Sequence, residues 1–129
     1  MYEDSPHVGV DQFEQFLASY PDVRASCAHM GTFAHEAFID LARVYDNAFL
    51  DTCFAMSSAV SEYMDFDPAE IPDNVFEELS ESIMYGSDFP NIPYSYQAER
   101  ENLLLRDLSK EVYDDLFRET AKRFLGESD

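Results

Sequence analysis

The chain has 129 residues, with 27 Asp plus Glu against 8 Lys plus Arg, so its formal net charge is -19. That length is typical of one domain. The apolar fraction of 46%, with 11 Phe and 8 Tyr, indicates a folded protein, because acidic disordered segments are poor in aromatic residues. The charge argues against direct binding of nucleic acid or of an anionic membrane, since both attract Lys and Arg. We therefore expect residues 1–129 to form a single acidic domain.

The sequence contains no pattern of a membrane span or a signal peptide. The longest uncharged run, from Ala25 to His35, is 11 residues and includes polar positions, whereas a spanning helix needs roughly 18 or more apolar residues. The N-terminal residues are acidic and lack the basic and apolar regions of a secretory signal. We therefore expect a cytoplasmic protein. Cys27 and Cys53 are too few for a disulfide framework and are expected to be buried thiols.

The first half of the chain carries apolar residues at helical spacing. A first helix is predicted from Asp11 to Ser19, and Pro21 suits the start of a short second helix that ends before Gly31. Thr32 is a good N-cap for a third helix, which extends to about Tyr45. The next segment, Asn47 to Met64, is uncharged in its middle, which indicates a central core helix.

The second half also favours helices, interrupted by one connector. Asn74 and Glu77 have the spacing of a capping box, with Gly86 as the C-terminal cap of the same helix. The two prolines within residues 87–95 exclude a helix and predict an extended connector. The apolar rows after residue 103 form either one long helix or one that breaks near Ser109, a suitable N-cap. The predicted fold class is all-α, a compact bundle of about five or six helices without a serious candidate strand.

The acidic residues are concentrated in one region. Between Arg43 and Arg100 there are 12 acids and no base over 56 residues. Such a block is either matched by cations from elsewhere in the fold or kept for a partner, because like charges destabilise a compact state. Nine acids within it are the candidate partner-binding residues: Glu62, Asp65, Asp67, Glu70, Asp73, Glu77, Glu78, Glu81 and Asp88.

Two further sets of residues have side chains that could form chemical sites. Cys27, His29, His35 and Cys53 are zinc-ligand types, and they also permit a pairing of nucleophile and base, but they lack the close spacing of familiar sites. The acids from Asp65 to Asp73 could attract calcium, yet Gly is missing from the sixth position of a helix-loop-helix site and Glu from the twelfth. The sequence therefore predicts no catalytic residue, no metal site and no cofactor, and a protein that is not an enzyme.

Acids on successive helical turns favour mimicry of a nucleic acid. Four residues rise about 6 Å along a helix, which is comparable to the spacing of phosphates along a strand. In size, acidity and helical character the chain is similar to the small phage and plasmid proteins that imitate DNA to disable restriction or CRISPR enzymes. That similarity implies an anti-defence inhibitor whose partner is a basic nucleic-acid-binding protein or complex. A homodimer is compatible with this interpretation.

Two alternatives remain open at this stage. In the first, the chain is a helical adaptor or regulatory protein that binds a partner through exposed aromatic residues near Phe89, Tyr94 and Tyr96. In the second, it is the housekeeping protein of a halophile, whose acids serve solubility in concentrated salt. The salt dependence of binding distinguishes the adaptor from the mimic. Binding by the mimic should weaken as salt is added, because salt screens contacts between charges, whereas binding by the adaptor should persist.

Overall fold

The computed structural model describes residues 9–127, in which helices alternate with three short strands. The elements are α1 (Val10–Ser19), β1 (Ala25–Cys27), α2 (His35–Val44), β2 (Ala48–Asp51), α3 (Asp73–Leu79), β3 (Ile83–Met84), α4 (Ala98–Leu104), α5 (Lys110–Asp114) and α6 (Thr120–Leu125). A π-helical turn, Asp115–Glu119, joins the last two helices, and short 3-10 turns cover Val60–Glu62, Pro68–Glu70 and Ser80–Ser82. The segment Ala28–Ala34 is a kinked series of turns that is non-helical from His29 to Thr32. Within this part of the chain, no helix is long and apolar enough to cross a bilayer.

The three strands form one parallel sheet in the order β1-β2-β3. Cys27 is in register with Leu50, which is in turn in register with Ile83 on the other side of β2. Parallel neighbours need a crossover connection, and α2 and α3 lie in the two crossovers. Their buried side chains join those of the strands in a continuous apolar core. All three strands therefore end at the same edge of the sheet.

The sheet shows that the all-α prediction is wrong. The predicted core helix from Asn47 to Met64 instead contains β2 and a series of turns, and the predicted second helix contains β1. Both strands are short, and Ala48, Phe49 and Leu50 are all buried. Strands of a parallel sheet that are buried on both faces do not alternate between apolar and polar residues, so periodicity cannot distinguish them from pieces of a buried helix.

Several predicted helices are present, with shifted ends. The first is confirmed as α1, whereas α2 begins three residues after the proposed Thr32 cap. The helix assigned to the capping box is α3, but it begins at Asp73 without a side-chain cap and ends at Leu79, so that β3 intervenes before Gly86. No helix or strand is assigned within residues 87–95, which agrees with the predicted connector.

The break proposed near Ser109 is confirmed, because this residue is the N-cap of α5. Its side chain accepts a hydrogen bond from the N–H of Val112. The π-helical turn that follows α5 directs the carbonyl of Leu116 to the sheet, where it accepts a hydrogen bond of 2.7 Å from the N–H of Tyr85. The C-terminal helices are thereby connected to the residue that follows β3.

Candidate active site

The loops at the carboxyl ends of the three strands bring together several polar side chains. His29 follows β1 by two residues, Asp51 is the last residue of β2, and Cys53 lies two residues further on. Single ligand atoms of these three residues all lie within 4.8 Å of one another. Asp88 follows β3 by four residues. In parallel α/β folds the carboxyl edge of the sheet is where ligands bind, so this group is the candidate active site.

The backbone of these three loops adopts the left-handed conformation at unusual positions. Five residues other than glycine have a positive φ there: His29 (59°), Met30 (52°), Thr32 (46°), Phe54 (63°) and Asp88 (57°). Such conformations cost of order 1–3 kcal/mol each and persist only where the surrounding structure imposes them. Their occurrence after all three strands indicates loops that are held in defined positions around the site.

Asp51 connects the first loop to the second. Its Oδ1 atom accepts hydrogen bonds from the backbone N–H of His29 (3.2 Å), the backbone N–H of Cys53 (3.2 Å) and the thiol of Cys53 (2.6 Å). Three donors to one carboxylate oxygen fix the position of both loops relative to β2. Hydrogen bonds to a charged acceptor are stronger than neutral ones, so we interpret Asp51 as the anchor of the site.

The orientation of the His29 ring is set by the second loop. Its Nδ1 atom lies 2.9 Å from the carbonyl oxygen of Cys53 and 3.2 Å from the sulfur of the same residue. A carbonyl oxygen can only accept a hydrogen bond, so Nδ1 carries the proton and Nε2 of the neutral ring is the basic nitrogen. The ring of Phe54 packs edge-on against the imidazole, with 5.9 Å between the ring centroids.

A buried carboxylate lies on the other side of the second loop. Glu99, on α4, has no exposed surface, and it accepts hydrogen bonds from the N–H of Phe54 and from the hydroxyl of Tyr94. Burial raises the pKa of Glu99, and the negative charge of Asp88 adds to this effect. The same charge contributes to the raised pKa of Cys53. Asp88 therefore acts electrostatically on the site, although its own side chain is exposed.

Neither thiol is suited to be a nucleophile. Burial, with the charge of Asp51, raises the pKa of Cys27 to about 12. Burial also raises the pKa of Cys53, and its hydrogen bond to Asp51 raises it further. Because the thiolate is the reactive form, the raised pKa values disfavour either thiol as a nucleophile. The prediction of buried thiols is confirmed for Cys53, whereas Cys27 is half-buried.

His29, Asp51 and Cys53 have the donor types of a zinc site, but their arrangement does not fit a shared ion. Zinc accepts imidazole, carboxylate and thiolate ligands at about 2.0–2.3 Å, which places two ligands of a tetrahedral ion roughly 3.5 Å apart. The sulfur of Cys53 lies only 2.6 Å from Oδ1 of Asp51. That separation belongs to a hydrogen bond between a protonated thiol and a carboxylate. We therefore derive no chemical step from a metal at this site.

Four residues are the candidate zinc ligands of the sequence: Cys27, His29, His35 and Cys53. The structure brings His29 and Cys53 together. His35 instead directs its Nδ1 to the carbonyl of Thr32 at 2.8 Å, and its ring packs against Phe66. Sequence reasoning missed Asp51 and Glu99. Recognition of β2 as a strand would have drawn attention to Asp51, because it stands at the carboxyl end.

The nine acids proposed to bind a partner are all exposed, but they lie on different elements. Asp73, Glu77 and Glu78 are on α3, Asp88 is in the loop after β3, and the other five are in turns: Glu62, Asp65, Asp67, Glu70 and Glu81. Arg106 pairs with Asp73, and Arg43 with Glu78, each at 3.0 Å. Cations from outside the acidic region therefore neutralise part of it. The partner-binding role of the nine acids stays a prediction.

Comparisons with known proteins bear on the family and on the fold. A family model described as amidohydrolase matches residues 2–126. The fold is similar to that of an uncharacterized TIM-barrel protein from Bordetella bronchiseptica, with a TM-score of 0.68 and 16% identity over 90% of this chain and 38% of that one. It is also similar to an amidohydrolase from Burkholderia multivorans with bound HEPES, with a TM-score of 0.63 and 15% identity over 92% of this chain and 50% of that one. The chain thus spans half or less of these two neighbours. None of the curated proteins matches it.

These comparisons correct the earlier interpretation of fold and function. The parallel sheet with its helices corresponds to part of a TIM barrel rather than to an all-α bundle. The match to the amidohydrolase family model points to an enzyme. The family match contradicts the anti-restriction or anti-CRISPR inhibitor and the expectation that the chain is not an enzyme, whereas it does not test the adaptor and halophile alternatives. Net charge bears on solubility and association, whereas the site depends on a few residues that folding brings together.

Proposed function

The chain belongs to the amidohydrolase family, and we propose that it supplies catalytic groups to a hydrolase that cleaves an amide bond or a related acyl bond. The observation that carries this proposal is the hydrogen-bonded group of His29, Asp51 and Cys53 at the carboxyl edge of a parallel sheet. Active sites of TIM-barrel enzymes are built from the loops at this edge.

His29 has the properties required of a general base and acid in such a reaction. With the proton fixed on Nδ1 by the carbonyl of Cys53, Nε2 can remove a proton from water as the water oxygen bonds to the substrate carbonyl carbon. The acyl C–N or C–O bond then breaks, and the leaving nitrogen or oxygen receives the proton from Nε2. The products are a carboxylic acid and an amine or alcohol, and the neutral imidazole is restored.

Two carboxylates lie in the loops at this edge of the sheet. Asp51 accepts a hydrogen bond from the backbone N–H of His29, and Asp88 follows β3 by four residues. A fixed negative charge here can stabilise positive charge that develops in the transition state, because opposite charges attract more strongly in a site partly shielded from water. Asp88 is exposed, so its carboxylate is also accessible to a substrate.

An Asp88→Asn variant tests the role of this carboxylate. Asparagine tolerates the left-handed backbone at this position about as well as aspartate does, so only the charge is removed. We expect the rate of hydrolysis to fall roughly tenfold, the effect of losing about 1.4 kcal/mol of transition-state stabilisation. The assay compares purified variants on a panel of aryl amides, aryl esters and lactones.

Asp65→Asn is the matched control, because Asp65 is exposed and lies in the segment between two 3-10 turns, outside the loops that directly follow the strands. It removes the same charge from the chain and is expected to leave the rate unchanged. Equal rates for the two variants would show that Asp88 contributes only to net charge, and absence of hydrolysis by the unmodified chain on the whole panel would contradict the proposal.

Three expectations from the sequence stay proposals beside this one. They are the cytoplasmic location, the homodimer and the binding of a basic nucleic-acid-binding protein by the acidic residues. The first two do not involve the hydrolytic site, whereas the third shares Asp88 with it. Measurement of the molecular mass in solution tests the homodimer. The salt dependence of binding to a basic protein tests the role of the acidic residues.

A further inference from the structure

One peptide unit connects His29 to the buried carboxylate of Glu99. The carbonyl of Cys53 and the N–H of Phe54 belong to the same peptide group, and in a trans peptide they point in opposite directions. The carbonyl accepts a hydrogen bond from Nδ1 of His29 at 2.9 Å, and the N–H donates to the two oxygens of Glu99 at 3.1 and 3.3 Å. The imidazole, the peptide and the carboxylate therefore form a continuous hydrogen-bonded series.

We propose that Glu99 is a positioning residue that holds His29 in its Nδ1–H tautomer through the peptide between Cys53 and Phe54. The inference rests on the proposed function, since it assigns a role to a residue behind the catalytic imidazole. A carboxylate that accepts the peptide N–H polarises the group and makes its carbonyl oxygen a better acceptor, because hydrogen bonds in series strengthen one another. The stronger acceptor keeps the proton on Nδ1 and leaves Nε2 available to water or substrate.

The burial of Glu99 supports a functional role. Its side chain has no exposed surface, and its hydrogen-bond donors, a peptide N–H and the phenol of Tyr94, are both neutral. A charged group in such surroundings costs free energy of folding unless a cation compensates it. A buried charge that lowers the stability of the fold, and that is hydrogen-bonded in series with a catalytic group, is expected where a protein gives up stability for activity.

The second loop holds the peptide in the orientation that this series needs. Phe54 has a φ of 63°, and the N–H of Ala55 donates to the carbonyl of Cys53 at 2.7 Å, so the chain reverses sharply at this residue. The ring of Phe54 is packed between His29 and Tyr94, at centroid distances of 5.9 and 5.7 Å. Rotation of the peptide would separate these rings, so the peptide is fixed from both sides.

The test is the tautomer of His29, measured by nitrogen NMR on the full chain labelled at histidine nitrogens. The measurement is made at a pH well above about 6.5, the pKa of an unperturbed histidine side chain, so that imidazole rings are neutral. The two ring nitrogens then have distinct chemical shifts in each tautomer. We expect the Nδ1–H form of His29 to predominate in the unmodified chain. Predominance of the Nε2–H form would overturn the proposal without recourse to any variant.

Glu99→Gln then tests the source of this preference. A glutamine carbonyl still accepts from Phe54, but without the charge, so we expect the ratio of Nδ1–H to Nε2–H to fall roughly fivefold to tenfold. The midpoint of thermal unfolding is expected to stay level or rise, because a buried charge is removed. Glu101→Gln is the matched control on the same helix, since Glu101 is exposed and bonds only weakly with Ser58, at 3.3 Å. A folded Glu99→Gln variant with the tautomer ratio of the control would overturn the role of Glu99.

The outcomes also separate this proposal from the proposed function. If the tautomer ratio of His29 depends on Glu99 but the chain hydrolyses none of the substrates, the positioning role of Glu99 is supported and the proposed hydrolase function is contradicted. If hydrolysis depends on His29 but the tautomer ratio of His29 does not depend on Glu99, only the positioning role of Glu99 is contradicted.

Discussion

Replacement of His29 by asparagine is expected to lower the rate of hydrolysis roughly 10²- to 10⁴-fold, the range over which general acid–base catalysis contributes. Asparagine is the informative choice because it tolerates a φ of 59°, and its amide can still donate to the carbonyl of Cys53. It cannot accept a proton from water. The fold should therefore persist while proton transfer is lost, which circular dichroism and the rate assay measure on the same sample.

His35→Asn provides the control for this experiment. His35 is the first residue of α2; it binds the carbonyl of Thr32 and is not part of the group formed by His29, Asp51 and Cys53. The control removes an imidazole from outside this group, and asparagine can still donate to the carbonyl of Thr32, so its rate should equal that of the unmodified chain. A His29→Asn variant that is as active as His35→Asn would remove His29 from the mechanism.

Gly31→Ala is expected to lower the free energy of unfolding by about 2–5 kcal/mol. Gly31 has a φ of 79°, and an added Cβ would lie 2.5 Å from Cδ2 of Phe38 and 2.9 Å from its Cβ. The left-handed backbone costs about 1–2 kcal/mol for alanine, and forced contacts in a packed interior cost about 1–3 kcal/mol. Urea denaturation measures the difference. Because Gly31 lies two residues after His29, the tautomer of His29 should also become mixed.

Gly86→Ala is the matched control for Gly31→Ala. Gly86 lies in the loop after β3, and its added Cβ would be 3.4 Å from Cβ of Cys53, an ordinary contact. We expect its unfolding midpoint to remain near that of the unmodified chain. Equal midpoints for the two variants would contradict the close packing of the first loop against α2.

Local patterns predicted the helices better than the sheet. The spacing of Phe13, Phe16 and Leu17 correctly indicated α1, and the side chain of Ser109 caps α5, which decides between the two alternatives left open for the C-terminal segment. These features depend on contacts within a few residues. The strands depend on pairing between residues 23 or more positions apart, such as Ala25 with Ala48, and strands of two to four residues carry no period of their own. An apolar run such as Ala48 to Leu50 therefore suits a helix and a buried strand equally.

The candidate site was less accessible to sequence reasoning than the fold. His29 and Cys53 were recognised as chemically capable, but the sequence does not show that β1 and β2 are adjacent and parallel, which is what places them together. Glu99 appeared only as one more acid in a block of 12 between Arg43 and Arg100. Burial separates it from the others, and burial of a single carboxylate has no local pattern. The net charge of -19 drew attention to exposed acids instead.

The origin of the oxygen atom in the product tests the hydrolytic role of this sheet edge most directly. The unmodified chain is incubated with a hydrolysable substrate from the panel in water enriched in oxygen-18, and the acid product is analysed by mass spectrometry. We predict one labelled oxygen per acid formed under single turnover, with formation lost in His29→Asn and retained in His35→Asn. Absence of labelled acid, or equal formation by the two histidine variants, would contradict the assignment of a hydrolase site to His29 and its neighbours.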